Sequence, residues 1–351
     1  MSVCENATFA VCDGLEGVLL PPHAIVATRR TPILIDGSFR IMTPYLTLHS
    51  APRMRHILLV TILASLAIAA PVAAQDTGHY RLVENWVQFP PEVTKWGSAT
   101  GVDVDGHDNL YVFHRNEAMP IMAFDRNGKF VRAWGQGMFT TTHFLRTDRA
   151  GNVWITDRGA MTAHKFTPEG KLVLTIGQKG MKGDNESKEF YNGMADLVVA
   201  KSGDIFIADG EGPNTRVVKL SKDGKFIKWW GGKGTAPGQF DMPHSIAMDG
   251  KGRVYVADRS NNRVQIFDQN GKFLDQWTNL GVPWGLTVKD DLLYLVDGSP
   301  NNCLLTVRLK DGKVVDRIEG LSNPTAVAVD SHGAIYVGEV NGTNVKKFVR
   351  K

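Results

Sequence analysis

From Lys95 onward the chain alternates apolar and polar positions with a period of two, in short runs bounded by Gly- or Asp-bearing turns. The runs recur as a set. Six segments open with a strand-like stretch, at 100–105 (TGVDVD), 143–148 (HFLRTD), 195–200 (ADLVVA), 244–249 (HSIAMD), 284–289 (WGLTVK) and 325–330 (TAVAVD). A second stretch follows each one, LYVFH, VWITD, IFIAD, VYVAD, LYLVD and IYVGE, ending at His114, Asp157, Asp209, Asp258, Asp297 and Glu339. Aromatic and β-branched residues dominate these stretches, as half-buried strands require. Third and fourth strands are joined by DRNGKF, TPEGKL, SKDGKF, DQNGKF and LKDGKV, with Gly where a tight turn needs positive φ. Dividing residues 95–351 among six repeats gives about 43 residues each, the length of a four-stranded propeller blade. The pattern therefore predicts an all-β fold, a six-bladed β-propeller of four-stranded antiparallel blades over 95–351. The last repeat stops after its third strand. Tyr80–Phe89 (YRLVENWVQF) resembles the other fourth strands, so residues 75–94 are expected to close the ring and remove its open edges.

Composition adds little to that picture. Gly is high, 36 of 351 residues, as many tight turns demand. Forty Lys+Arg against 36 Asp+Glu leave a net charge of +4, too weak a bias to suggest a nucleic-acid partner. Three cysteines exclude a disulfide-stapled mini-domain and a Cys-rich zinc site. The N-terminal part reads differently. Residues 54–74 (MRHILLVTILASLAIAAPVAA) combine a basic start, an apolar run from Ile57 to Ala70 and small residues before a cleavage point near Ala74. That is the layout of a secretory signal peptide, too short and Pro-interrupted for a membrane span. Met54 then reads as the initiator and residues 1–53 as an untranslated or disordered extension. The mature chain is expected to be periplasmic or extracellular, with no membrane span and one cysteine, Cys303.

Strand connections in a meander alternate between the two faces of the ring. The residues that lead each first strand, Thr100, His143, Ala195, His244, Trp284 and Thr325, therefore surround one mouth of the central channel. The loops after the second strands join them there, as do the long polar connections 177–192 and 231–240. Neutral His is a common zinc ligand, so His143 and His244 are candidate metal ligands around one axis. The alternative is a pair of polar residues lining a wet channel.

The fourth repeat, GQFDMPHSIAMDGKGRVYVADRSNNRVQIFDQNGKF, resembles an NHL repeat along its whole length. From Lys95 to Phe348 the chain resembles the peptidyl-α-hydroxyglycine α-amidating lyases, through LYVFHR at 110–115, the segment at His143, the stretch around Asp209-Gly210 and Pro213–Val217, and Met242–Val264. The resemblance implies a zinc site in the channel with His143 and His244 as ligands, and Arg115 as a catalytic arginine. It also marks departures. The third zinc His falls on Thr325, the active-site Met on Asn323, the catalytic Tyr on Glu211, and an Asp used for a structural calcium on Ala326. Glu211, on the mouth face, is then a candidate third ligand, giving a His2Glu site for zinc or another divalent metal, or a candidate general base. The expected function is an exported, metal-dependent lyase or hydrolase acting on a small-molecule or peptide substrate at the channel mouth. The alternative is a non-catalytic ring that uses its mouth loops to bind a ligand or protein partner. A metal-dependent propeller lactonase is disfavoured, because none of the six leading positions is acidic.

Overall fold

The computed structural model describes residues 78–351. The expected signal peptide and the 1–53 extension lie outside the described residues, and among those described no helix is long and apolar enough to cross a membrane.

Among the described residues, twenty-four strands form six antiparallel sheets of four. Five blades are consecutive meanders, the first running through Ala99–Val104, Leu110–His114, Ile121–Phe124 and Phe130–Trp134. The sixth takes three strands from Pro324–Arg350 and its outermost strand from Tyr80–Val83, paired with Lys347–Arg350. The predicted closure is therefore present, but the closing strand is shorter than the sequence pattern suggested. Asn85 adopts φ 50° and turns the chain out of the sheet. Trp86 and Phe89 leave the strand and pack on Trp96, Tyr336 and Phe124 between the last blade and the first.

The second strand of each blade is almost wholly buried, since both faces meet a neighbouring blade. Fourth strands are half-exposed and carry tryptophans that lock adjacent blades. A Cβ placed on Gly170, Gly271 or Gly312, each in the last turn of the following blade, would lie 3.0, 2.7 or 2.8 Å from the indoles of Trp134, Trp230 and Trp277. These rings pack between blades.

Candidate metal site at the channel mouth

Each first strand carries one extra residue where it begins to pair with the second. The register shifts between Ala99 and Gly101, Thr142 and Leu145, Met194 and Asp196, Pro243 and Ser245, Pro283 and Gly285, and Pro324 and Ala326. The insertion falls at the six leading positions read from the repeat. A bulge re-aims the side chain it carries, and repeated around a ring it turns six side chains toward one mouth. Two of those six are His143 and His244. The sixth blade offers Thr325, so the third group of the cluster arrives from a loop instead.

That group is Glu211, held by a close approach of two backbones. The Gly193 carbonyl accepts the N–H groups of Gly210 (3.0 Å) and Glu211 (2.9 Å). Gly193 has φ 130°, and a Cβ on Gly212 would sit 2.0 Å from the Asn192 carbonyl oxygen. Only glycine fits either place. Beneath the loop, fully buried Arg216 pairs with Asp209 (2.9 Å) and donates to the carbonyls of Asn185, Ser187 and Phe190. Arg263 does the same for the other long connection, bonding Asp258 (2.8 Å) and the carbonyls of Thr235, Ala236 and Gln239. Both long mouth loops are thus pinned from below. Asp258 and Arg263 form a loop-fixing pair within the fourth blade.

One ligand atom each of His143, Glu211 and His244 fall within 4.8 Å of one another. Glu211 Oε2 is 2.9 Å from His143 Nε2 and 2.7 Å from His244 Nε2. The far side of each ring settles what those nitrogens carry. His143 Nδ1 lies 2.7 Å from the Ala195 carbonyl oxygen and His244 Nδ1 lies 2.6 Å from that of Trp284. A carbonyl only accepts, so each Nδ1 bears the proton, and in a neutral ring each Nε2 presents a lone pair. Burial lowers the His244 pKa despite the Glu211 charge beside it, which keeps that ring neutral near pH 7. Burial would raise the Glu211 pKa, but a positive charge or a donated Nε2 proton on the neighbouring imidazoles, His244 first, draws it far below the usual carboxylate range. Oε2 is buried between the two Nε2 atoms. Three potential ligand atoms on consecutive blades therefore converge. This donor set suits zinc or a similar divalent ion, and the two backbone carbonyls are the outer partners such imidazole ligands use.

Glu211 Oε1 faces two arginines, Arg158 at 3.0 Å and Arg259 at 4.0 Å. The Arg259 guanidinium lies 3.7 Å from the Trp284 ring centroid, which fixes it at the mouth. Sequence reasoning gave neither arginine a role at the site. It gave that role to Arg115, which the structure does not bring to the cluster. Arg115 is exposed, among the described residues its side chain makes no hydrogen bond or ion pair, and it lines a neighbouring cleft of about 460 Å³ with Phe139 and Thr142. His114 is a loop-fixing residue: its Nδ1 accepts the Gly97 N–H (2.9 Å), the task that Asp157, Asp209, Asp258, Asp297 and Glu339 perform in the other blades. Cys303 is buried, and that burial pushes its thiol up to about 12, so it supplies no thiolate.

The sequence model of the NHL repeat matches residues 240–267, the fourth blade. Human NHL repeat-containing protein 3 is 33% identical over 77% of this chain and 84% of its own length. Peptidyl-alpha-hydroxyglycine alpha-amidating lyase 2 of Drosophila melanogaster is 30% identical over 78% of this chain and 75% of its own. Among solved structures a streptogramin B lyase superposes with a TM-score of 0.55 at 14% identity, covering 78% of this chain and 98% of that one, a likeness of fold. The chain belongs to the family of NHL-repeat propellers that includes NHL repeat-containing protein 3 and the peptidyl-α-hydroxyglycine α-amidating lyases.

Proposed function

We propose that this protein is an exported, metal-dependent lyase of the amidating-lyase type, with zinc or a similar divalent ion held by His143, Glu211 and His244. The observation that carries the reading is the convergence of two imidazole lone pairs and one carboxylate oxygen, each oriented by its own buried partner. Such a bound ion is a Lewis acid that stabilises charge developing on a substrate oxygen. The chain's own residues supply the rest. Ala195 and Trp284 hold the imidazole tautomers, Gly193 holds Glu211, and Arg158 and Arg259 place two positive charges beside the cluster. An α-hydroxyglycine substrate needs that arrangement. Its hydroxyl gives up a proton, the C–N bond breaks as the new carbonyl forms, and the amide nitrogen takes a proton. Arg158 and Arg259 are positioned to bind the substrate carboxylate or the oxygen that becomes negative. Export rests on the signal-like segment at 54–74.

A second reading, a non-catalytic ligand- or protein-binding ring, is favoured by one observation, that Arg115 is exposed and makes no hydrogen bond or ion pair with the cluster. Elemental analysis of mature protein purified without chelating resin separates the two. Roughly one divalent ion per chain, lost in the His143→Ala/His244→Ala variant, is expected for the lyase. Turnover of α-hydroxyglycine peptides is the next assay. Absence of metal after reconstitution with zinc overturns the enzyme reading.

A further inference from the structure

Beside the mouth cluster lie two buried side chains of one strand, Phe144 and Arg146. The Phe144 ring lies 5.2 Å from that of His143, 5.7 Å from that of His244 and 5.3 Å from the Arg146 guanidinium carbon. Arg146 is buried, 7% exposed, and its guanidinium reaches across the channel. Nε donates to Asp196 Oδ1 (2.9 Å), and one terminal nitrogen donates to Asp196 Oδ2, Ser245 Oγ (3.2 Å) and the Leu286 carbonyl oxygen (2.9 Å). Asp103 adds a second carboxylate charge to the same surroundings. Arg146 comes from blade 2, and the groups it meets come from the first strands of blades 1, 3, 4 and 5. The sixth blade contributes only Ala326 at this depth, with no ligand atom on its side chain.

A carboxylate, a hydroxyl and a backbone carbonyl around one buried point, with a second carboxylate charge nearby, are the oxygen set a hard cation such as calcium takes. Here a guanidinium already occupies them, so the structural calcium implied by the family does not fit this chain. We propose that Arg146 is the resident cation of the channel, tying the inner strands together in place of a bound metal ion. The ring is then held without calcium, and among the described residues the divalent site is the one at the mouth.

Arg146 is by the same geometry a positioning residue for that mouth site. Asp196 follows Ala195, whose carbonyl holds His143, and Leu286 lies two residues beyond Trp284, whose carbonyl holds His244. Ser245 directly follows His244, and its Oγ donates to Asp196 (2.7 Å) while accepting the Leu286 N–H (3.0 Å). One network therefore sets both tautomer-fixing carbonyls. This last step rests on the mouth site binding metal, whereas the calcium-free ring does not.

The test uses the mature chain. Equilibrium dialysis against calcium, in wild type and in His143→Ala/His244→Ala, is expected to show no tightly held ion, and added calcium is expected to leave the melting temperature unchanged. Arg146→Ala strands the buried acceptors and is expected to melt on the order of 10 °C lower, with part of the loss restored by millimolar calcium. Arg146→Lys keeps a cation and is expected to melt between the two without a calcium response. Its zinc affinity is expected to fall roughly tenfold or more, a readout that a general loss of stability does not move. A tightly bound calcium in either wild type or the double-His variant overturns the proposal, as does an Arg146→Ala protein as stable as wild type. If Arg146→Ala does not fold, the dialysis and Arg146→Lys still decide. Absence of zinc binding alone removes the mouth-site reading and leaves the calcium result standing.

Discussion

Replacing Glu211 with Gln changes one atom and reverses the electrostatics of the mouth. In the wild type, Oε2 faces the Nε2 lone pairs of both histidines at 2.9 and 2.7 Å, and Oε1 accepts from Arg158 at 3.0 Å. A Gln side chain in the same rotamer leaves its carbonyl toward Arg158 and turns an NH2 group toward the two rings. Its two protons then match two lone pairs. Two hydrogen bonds of roughly 0.5–1.5 kcal/mol each are gained, and a part-exposed ion pair worth about 0–1 kcal/mol is lost. The metal-free Glu211→Gln protein is therefore expected to be more stable than metal-free wild type by about 1–2 kcal/mol, or roughly 2–8 °C in melting temperature. With zinc the order reverses, because the amide is a poorer ligand than the carboxylate.

The rival description of the site gives the opposite sign. If Glu211 were a structural ion-pair partner for protonated histidines, the substitution would strip a buried charge pair of one member at a cost of about 3–5 kcal/mol. Thermal unfolding at pH 7.5 in chelator, with and without subsequent zinc, reads both cases. A metal-free variant that melts roughly 10 °C below wild type refutes the lone-pair assignment and the metal site built on it.

Other expectations follow from the same coordinates. Burial lowers the His114 pKa from 6.5 to about 4, so the folded chain resists protonation that the unfolded chain accepts. Stability is then full above about pH 6.5 and falls as pH drops toward 4, by about 3 kcal/mol from this residue. His244 acts in the same direction, and denaturant titrations against pH should show the slope reduced in His114→Asn, which keeps an acceptor for Gly97. Gly271→Ala must hold a Cβ at φ 78° and 2.7 Å from the Trp230 ring, so a loss of about 2–4 kcal/mol is expected from denaturant unfolding, and an unchanged midpoint would show that the blades simply slide apart. Removing residues 78–83 bares the edge of Asn344–Arg350 and should cause aggregation together with a large loss of stability. A monomeric protein within about 1 kcal/mol of wild type would mean the ring does not need its closing strand.

The ring was legible because the blades repeat nearly the same local instructions: period-two strands, Gly turns and, in every blade but the first, an acidic residue at the end of the second strand. The two histidines were legible for the same reason, since aligning the repeats puts them at one structural position. What the repeats conceal is which blades answer one another across the axis. Arg146 and Asp196 are 50 positions apart, and Arg146 and Leu286 are 140 apart. No spacing rule joins them until the ring is closed. A sign of the network was nonetheless present. Positions three to five of the first strands hold Gly, Ala, Ser and Thr or bulkier apolar residues throughout, except for Asp103, Arg146 and Asp196. Charges placed where inward-facing strands bury their side chains must meet each other, because an unpaired one would cost too much to keep. Two negative charges and one positive, distributed over three blades, already imply a shared centre in the channel. The role of Glu211 had no such internal sign: it follows a strand end that every blade possesses, and only the Gly193–Gly212 contact turns it toward the histidines. Repetition thus locates the mouth and the candidate ligand pair, while the charged residues that tie the blades together across the axis are the ones that break the repeat.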